Sequence, residues 1–253
     1  MFASSVGIKS TYDIIVIGSG HNGLVCAAYL AKAGLKVLVL EQWKHVGGCT
    51  HTEELFPGYK IDTCSVDHIV IQTTPIIQDL ELETRFGLKY LNSDPFFSCP
   101  FPDGKYYFIY KDLDKTCQSI ADNISKKEAD NYRRFANFWM KGLDVLTPLT
   151  FAPLYPVKEA VFSLSHKERK EILRFAMKES DDFFELIRII LMSPRLVLDS
   201  QFETEYLKTP IAWVGCNFGL PPSQSGMGLM TSFLLYGHLG GCKRKLVMSP
   251  IPL

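Results

Sequence analysis

No stretch of this 253-residue chain approaches the ~20 consecutive apolar residues that a membrane-spanning helix needs. Net charge is lacking as well. The 27 basic residues balance the 27 acidic ones, which removes any electrostatic reason to expect a nucleic-acid partner. Seven cysteines are scattered at positions 26, 49, 64, 99, 117, 216 and 242, with no Cys-x-x-Cys among them. That spacing writes neither a zinc site nor a vicinal redox motif. Residues 1–10 have neither the charged start nor the apolar core of a secretory signal, and unpaired thiols fit a reducing, cytoplasmic location. Internal repeats and low-complexity tracts are absent too. With 47% hydrophobic and 21% charged residues, composition excludes disorder and points to a globular chain.

What is present is concentrated near the N-terminus. Asp13-Ile14-Ile15-Val16-Ile17 is an apolar, β-branched run, the pattern of a parallel strand covered on both faces. It runs directly into Gly18-Ser19-Gly20-His21-Asn22-Gly23, a Gly-x-Gly-x-x-Gly turn. Gly18 turns the chain out of the strand, Gly20 lets a pyrophosphate approach bare backbone, and Gly23 lets strand and helix pack closely. A helix is expected from about Asn22 to Ala33, ended by Gly34, its free N–H groups and positive dipole end facing the phosphates. A second strand, Lys36-Val37-Leu38-Val39-Leu40, ends in Glu41, placed where a carboxylate binds a ribose diol. An acid there repels a 2′-phosphate and disfavours NADP. Strand, glycines, helix, strand and acid in this order define a Rossmann-type α/β unit.

The next segment bears on which dinucleotide is bound. A simple NAD domain leads from its second strand into another crossover helix. Here the glycine pair Gly47-Gly48 follows Glu41 and opens no helical pattern. Such a pair lets backbone close over a long, bent dinucleotide, which suits FAD better than NAD.

Glu41 to Gly48, followed by Pro57-Gly58-Tyr59 and Asp62, resembles the N-terminus of the flavin-dependent phytoene desaturase and amine oxidase superfamily. The run from His21 to Leu30, with Asp67-His68 and Pro221-Pro222-Ser223-Gln224-Ser225-Gly226, is similar to its carotene ketolase-like branch. The resemblance extends from Tyr12 to Gly241 and is patchy between Lys111 and Leu198. It implies an FAD-binding domain of glutathione reductase-like type with an inserted α+β, mainly helical substrate domain. It also implies a small apolar substrate, a carotenoid or another lipid, oxidised as electrons pass to the flavin. The expected cofactor contacts are Gly18, Ser19, Gly20, His21, Asn22, Gly23, Glu41, Gln42, Gly47, Gly48 and Thr50. Trp43 and Cys49 stand where many relatives carry basic residues. Such enzymes run to roughly twice this length, so the chain reads as an N-terminal half that needs a complementary C-terminal chain.

On this reading residues 1–90 form the N-terminal part of the FAD-binding domain, 91–241 the substrate-domain-like region, and 242–253 a tail without strand or helix period. Within it, 75–88 suggests a helix stopped near Gly87, 90–110 strands turning at Pro102-Asp103-Gly104, and 113–192 a series of helices. Residues 186–192 and 227–239 are apolar enough to be core helices or peripheral membrane contacts. His68 could face flavin or substrate, and His45 and His51 flank the glycine pair, but no side chain is assigned a catalytic role. Two alternatives stay open: an NAD-binding dehydrogenase, and an inactive interaction protein needing a partner chain.

Overall fold

The computed structural model describes residues 11–65, 67–68, 70–91, 93–150, 164–217, 219–238 and 243–245. Its backbone divides into two units, Met1–Leu91 with Lys243–Leu253, and Asn92–Cys242. In the first, β1 (Ile14–Ile17) lies parallel to β2 (Val37–Leu40), with Ile14 opposite Val37 and Ile17 opposite Leu40. Between them runs α1 (His21–Lys32). Gly34, at φ 90°, ends it as the sequence suggests: Leu35 N–H donates to Leu30 C=O and Gly34 N–H to Ala31 C=O, a Schellman closure.

Coverage of β1 on both faces is not found. Among the described residues this sheet has two strands, and Ile15 and Ile17 are left 56% and 87% exposed. An inner parallel strand needs a further strand and further helices to bury such side chains.

After β2 comes a hairpin instead of a crossover helix. A 3-10 turn (Gly48–Thr50) leads into β3 (Thr52–Phe56), which pairs antiparallel with β4 (Tyr59–Asp62). The helix expected over 75–88 is only one turn, α2 (Ile76–Asp79). Glu81, at φ 53°, stops it, with Leu82 N–H donating to Ile77 C=O and Glu81 N–H to Gln78 C=O. This is the same closure as at Gly34, carried by a residue that gives no sequence signal for it.

A second difference lies in the tail. Lys243–Lys245 (β9) forms the middle strand between β5 (Asp67–His68) and β6 (Tyr90–Leu91), antiparallel to both. Strands of two and three residues are too short for alternation to be seen, so their pairing comes from tertiary contacts.

The second unit is helical around one hairpin, β7 (Phe97–Pro100) and β8 (Tyr106–Ile109), turning where the sequence places it. Among the described residues its helices are α3 (Leu113–Asn123), α4 (Lys126–Thr150), α5 (His166–Lys178), α6 (Ser180–Leu191), α7 (Pro194–Gln201) and α8 (Glu205–Cys216). Local chemistry sets their starts: Asp112 caps α3, and Ser165 and Glu168 form a reciprocal capping box at α5. Trp139, Tyr132, Tyr107, Ile109, Leu207 and Ile211 fill the core. The two apolar segments contribute to it through Leu186 and Ile189 of α6 and through Leu234 and Leu235 of the 3-10 helix Gly228–Gly237. No helix among the described residues is long and apolar enough to cross a membrane.

His238 is tied into this core. Its Nε2 is 2.9 Å from the Tyr132 hydroxyl and its Nδ1 is 3.2 Å from the Lys111 carbonyl oxygen. Burial pushes its pKa below the usual histidine value of 6.5. The imidazole therefore stays neutral in the folded chain at pH values where the unfolded chain takes a proton. Its contribution is intact above about pH 6.5 and is lost as pH falls through the lower folded value. Denaturant titrations are expected to show weaker stability near pH 5 than near pH 7.5, and a smaller difference in His238→Gln.

Candidate dinucleotide site

The site is assembled in the first unit from the β1–α1 turn, the end of β2 and the glycine-pair loop. Gly18 N–H donates to Leu40 C=O at 2.7 Å, closing the turn onto β2. Gly20 caps α1 without a side-chain bond, and the helix carries no acid in its first turn. The first intrahelical bond is Leu24 N–H to Gly20 C=O at 2.9 Å, so the amides of His21, Asn22 and Gly23 precede the ladder. Those amides and the helix dipole make an anion site. A Cβ on Gly23 would lie 2.2 Å from the Gly18 carbonyl oxygen, whereas one on Gly20 would meet nothing within 4 Å. Gly23 is thus required by packing, and Gly20 leaves open space at the helix start.

The glycine pair is brought onto this turn. Gly47 N–H donates to Ser19 C=O at 2.8 Å, and Gly20 and Gly47 form an isolated parallel bridge. A Cβ on Gly48, itself at φ 55°, would stand 3.0 Å from Gly20 Cα. Two glycine segments 27 residues apart in sequence therefore meet backbone to backbone. Thr50 closes the loop, its hydroxyl donating to Gly47 C=O at 2.9 Å.

Glu41 is the charged element. Its Oε2 accepts from the Ser19 amide and the Ser19 hydroxyl, each at 2.7 Å, and its Oε1 accepts from the Trp43 amide at 2.9 Å. The Trp43 amide, the Ser19 amide and hydroxyl, and then the Gln42 amide hold its pKa down to about 2. The carboxylate is solvent-exposed and fixed in direction. Ser19, itself 1% exposed, spends both its donors on Glu41 and positions the acid. Sequence spacing gives no sign of that role.

Among the other candidates, Gln42 and Asn22 lie at the surface. His45 and His51 stack on each other at 4.2 Å with Trp43 edge-on to both. Desolvation and the neighbouring His51 lower the His45 pKa, so that ring is not a ready cation for phosphate. His68 Nδ1 is 3.0 Å from the Tyr90 hydroxyl. His68, His21 and Thr50 line a cavity of about 650 Å³ along the α1 face formed by Leu24, Val25 and Ala28. The turn at Gly18–Gly23, Glu41 and the Gly47–Thr50 loop thus come together, while His45, His51 and His68 fall beside them.

A parallel β-α-β unit with a glycine turn, an open helix N-terminus and a fixed acid at the end of β2 is a Rossmann-like dinucleotide-binding domain. Residues 16–72 match the family model described as an NAD(P)-binding Rossmann-like domain. The chain is 30% identical over 215 residues to one of the polypeptides of limonene dehydrogenase from Castellaniella defragrans, covering 84% of this chain and 36% of that protein. It is also 30% identical over 221 residues to pyridine nucleotide-disulfide oxidoreductase domain-containing protein 2 of Mus musculus, covering 81% and 37%. Among solved structures, wild-type putrescine oxidase bound to putrescine shares the fold, with a TM-score of 0.53 at 16% identity over 93% of this chain and 46% of that one. The chain spans a little over a third of the length of these curated relatives.

Proposed function

We propose that this chain holds the adenosine diphosphate portion of FAD in an oxidoreductase acting on a small apolar, unsaturated substrate. The observation that carries the cofactor choice is the pairing of Gly47-Gly48 with Ser19-Gly20, where a nicotinamide domain has a crossover helix. In this reading the amides at the start of α1 bind the pyrophosphate. Glu41 accepts from the ribose diol, which takes over acceptor sites now used by the Ser19 hydroxyl and the Gln42 amide. The residues fit: Gly20 presents no atom where a phosphate would approach, and no acid opposes it in the helix's first turn. When bound, FAD supplies hydride- and electron-accepting chemistry. Ser19 and Trp43 keep Glu41 ionised and aimed.

An apolar substrate is supported by the limonene dehydrogenase relative, limonene being an unsaturated hydrocarbon. The exposed Ile15 and Ile17 support a further polypeptide segment completing the sheet around the cofactor. The description of the matched family keeps a nicotinamide dinucleotide as the second reading. The test is to mix the purified chain with FAD, desalt it, and record the visible spectrum before and after adding limonene anaerobically. Retention of the flavin band supports the cofactor, and bleaching supports the substrate class. Loss of FAD with retention of NAD replaces this reading with the second.

A further inference from the structure

The seven cysteines show no motif, yet the fold brings two of them together beside the dinucleotide cradle. In the β3–β4 hairpin Thr52 lies opposite Asp62. Beyond that ladder Ser65 N–H donates to Cys49 C=O at 3.0 Å, tying the 3-10 turn to the chain that follows β4. Cys64 is the residue next to Ser65, so the two cysteines stand on adjoining backbone, and the neighbouring Cys49 raises the pKa of the Cys64 thiol. Both are solvent-exposed, unlike Cys99 and Cys117, which are buried. Two exposed thiols on segments joined by a backbone hydrogen bond are placed so that a small side-chain movement can close a disulfide.

We propose that Cys49 and Cys64 form a reversible dithiol–disulfide site, oxidised by hydrogen peroxide and reduced again by an external thiol. The Cys49 thiolate attacks one peroxide oxygen. An S–O bond forms, the O–O bond breaks, and the departing hydroxide leaves as water after taking a proton. Cys64 then attacks the Cys49 sulfur. The S–S bond forms, the S–O bond breaks, and a second water leaves. Two thiols lose two electrons and two protons, and one peroxide becomes two waters. Cys64 is the natural resolving thiol. The neighbouring Cys49 side chain raises the Cys64 pKa, so Cys64 keeps its proton until it attacks. Closure joins the end of the hairpin to the turn Gly48–Thr50, whose first residue abuts Gly20, so the redox state is fixed next to the cofactor cradle. The site stands whether or not a dinucleotide binds there.

Trypsin separates the two cysteines, Cys49 in peptide 45–60 and Cys64 in peptide 61–85, with no other cysteine in either. The reduced full chain is treated with one equivalent of hydrogen peroxide, alkylated, digested and analysed by mass spectrometry. The expected result is loss of two alkylatable thiols and a 45–60/61–85 cross-linked pair that dithiothreitol dissolves. Cys64→Ser is expected to leave a sulfenic acid on Cys49 that dimedone traps. Recovery of both peptides in alkylated form after peroxide treatment, or cross-linking of either to a different cysteine, overturns the proposal. That outcome is independent of whether FAD is retained.

Discussion

Glu41→Gln is expected to weaken FAD binding about 10- to 100-fold, since a hydrogen bond to a charged group contributes roughly 1.5–3 kcal/mol. The substitution keeps the size of the side chain and removes its charge. It also replaces one acceptor oxygen with a donor, which then faces the Ser19 and Trp43 amides that now point at the carboxylate. Both changes act against the adenosine ribose, so the loss falls on every dinucleotide with that moiety. The pH profile is the second readout. With its pKa lowered to about 2, Glu41 is ionised throughout the pH range of the titration. Being depressed, that value means the carboxylate's contribution is complete above the ordinary value of 4.5 and is lost only as pH falls through about 2. Calorimetric affinity in the wild type is therefore expected to be flat from about pH 5 to pH 8 with respect to this group. A titration step in that interval that disappears in Glu41→Gln contradicts the hydrogen-bonding arrangement.

The second large effect separates two glycines of one motif. Gly23→Ala places a methyl carbon 2.2 Å from the Gly18 carbonyl oxygen, a backbone atom that cannot swing away. Overpacking of this kind costs about 1–3 kcal/mol or more, and a shift of at least ~4 °C in melting temperature is expected for a unit of this size. Gly20→Ala meets nothing within 4 Å. Its φ of −65° and ψ of 167° suit any L-residue, so the fold is retained, with a gain of up to about 0.5 kcal/mol from the stiffer unfolded chain. In the proposed function its methyl group stands where the pyrophosphate approaches. FAD affinity is expected to fall at least about tenfold, the equivalent of one lost charge-assisted hydrogen bond. Circular dichroism melts combined with FAD titration distinguish the two variants. If both lose only stability, Gly20 is a packing residue like Gly23 and the turn is not a phosphate cradle.

The central unit is legible in the sequence because each of its signals is local. The β-branched run to Ile17, the glycine turn, the helix closed at Gly34 and the strand ending in Glu41 each depend on residues a few positions apart. The turn at Asp103-Gly104 is legible for the same reason. What escapes a sequence reading depends on contacts between distant segments. The strand Lys243–Lys245 exists through pairing with residues far earlier in the chain. Cys49 and Cys64 are brought to adjoining backbone by the Ser65–Cys49 hydrogen bond, not by a cysteine motif. Ser19 faces Glu41 only once β1 and β2 are side by side. The stop of α2 at Glu81 is a different case: a left-handed residue is usually signalled by glycine, and here a glutamate takes that conformation. The apolar run of β1 reads as buried, but a run specifies burial only when the covering layers are present.

The most direct test is isothermal calorimetry of the purified full chain with FAD, FMN and NAD in turn. Saturable binding of FAD, no binding of FMN, and weaker binding of NAD are expected if the glycine cradle and Glu41 hold the adenosine diphosphate and the Gly47-Gly48 loop favours the flavin dinucleotide. Tighter binding of NAD than of FAD, or no binding of either to a folded chain, contradicts it.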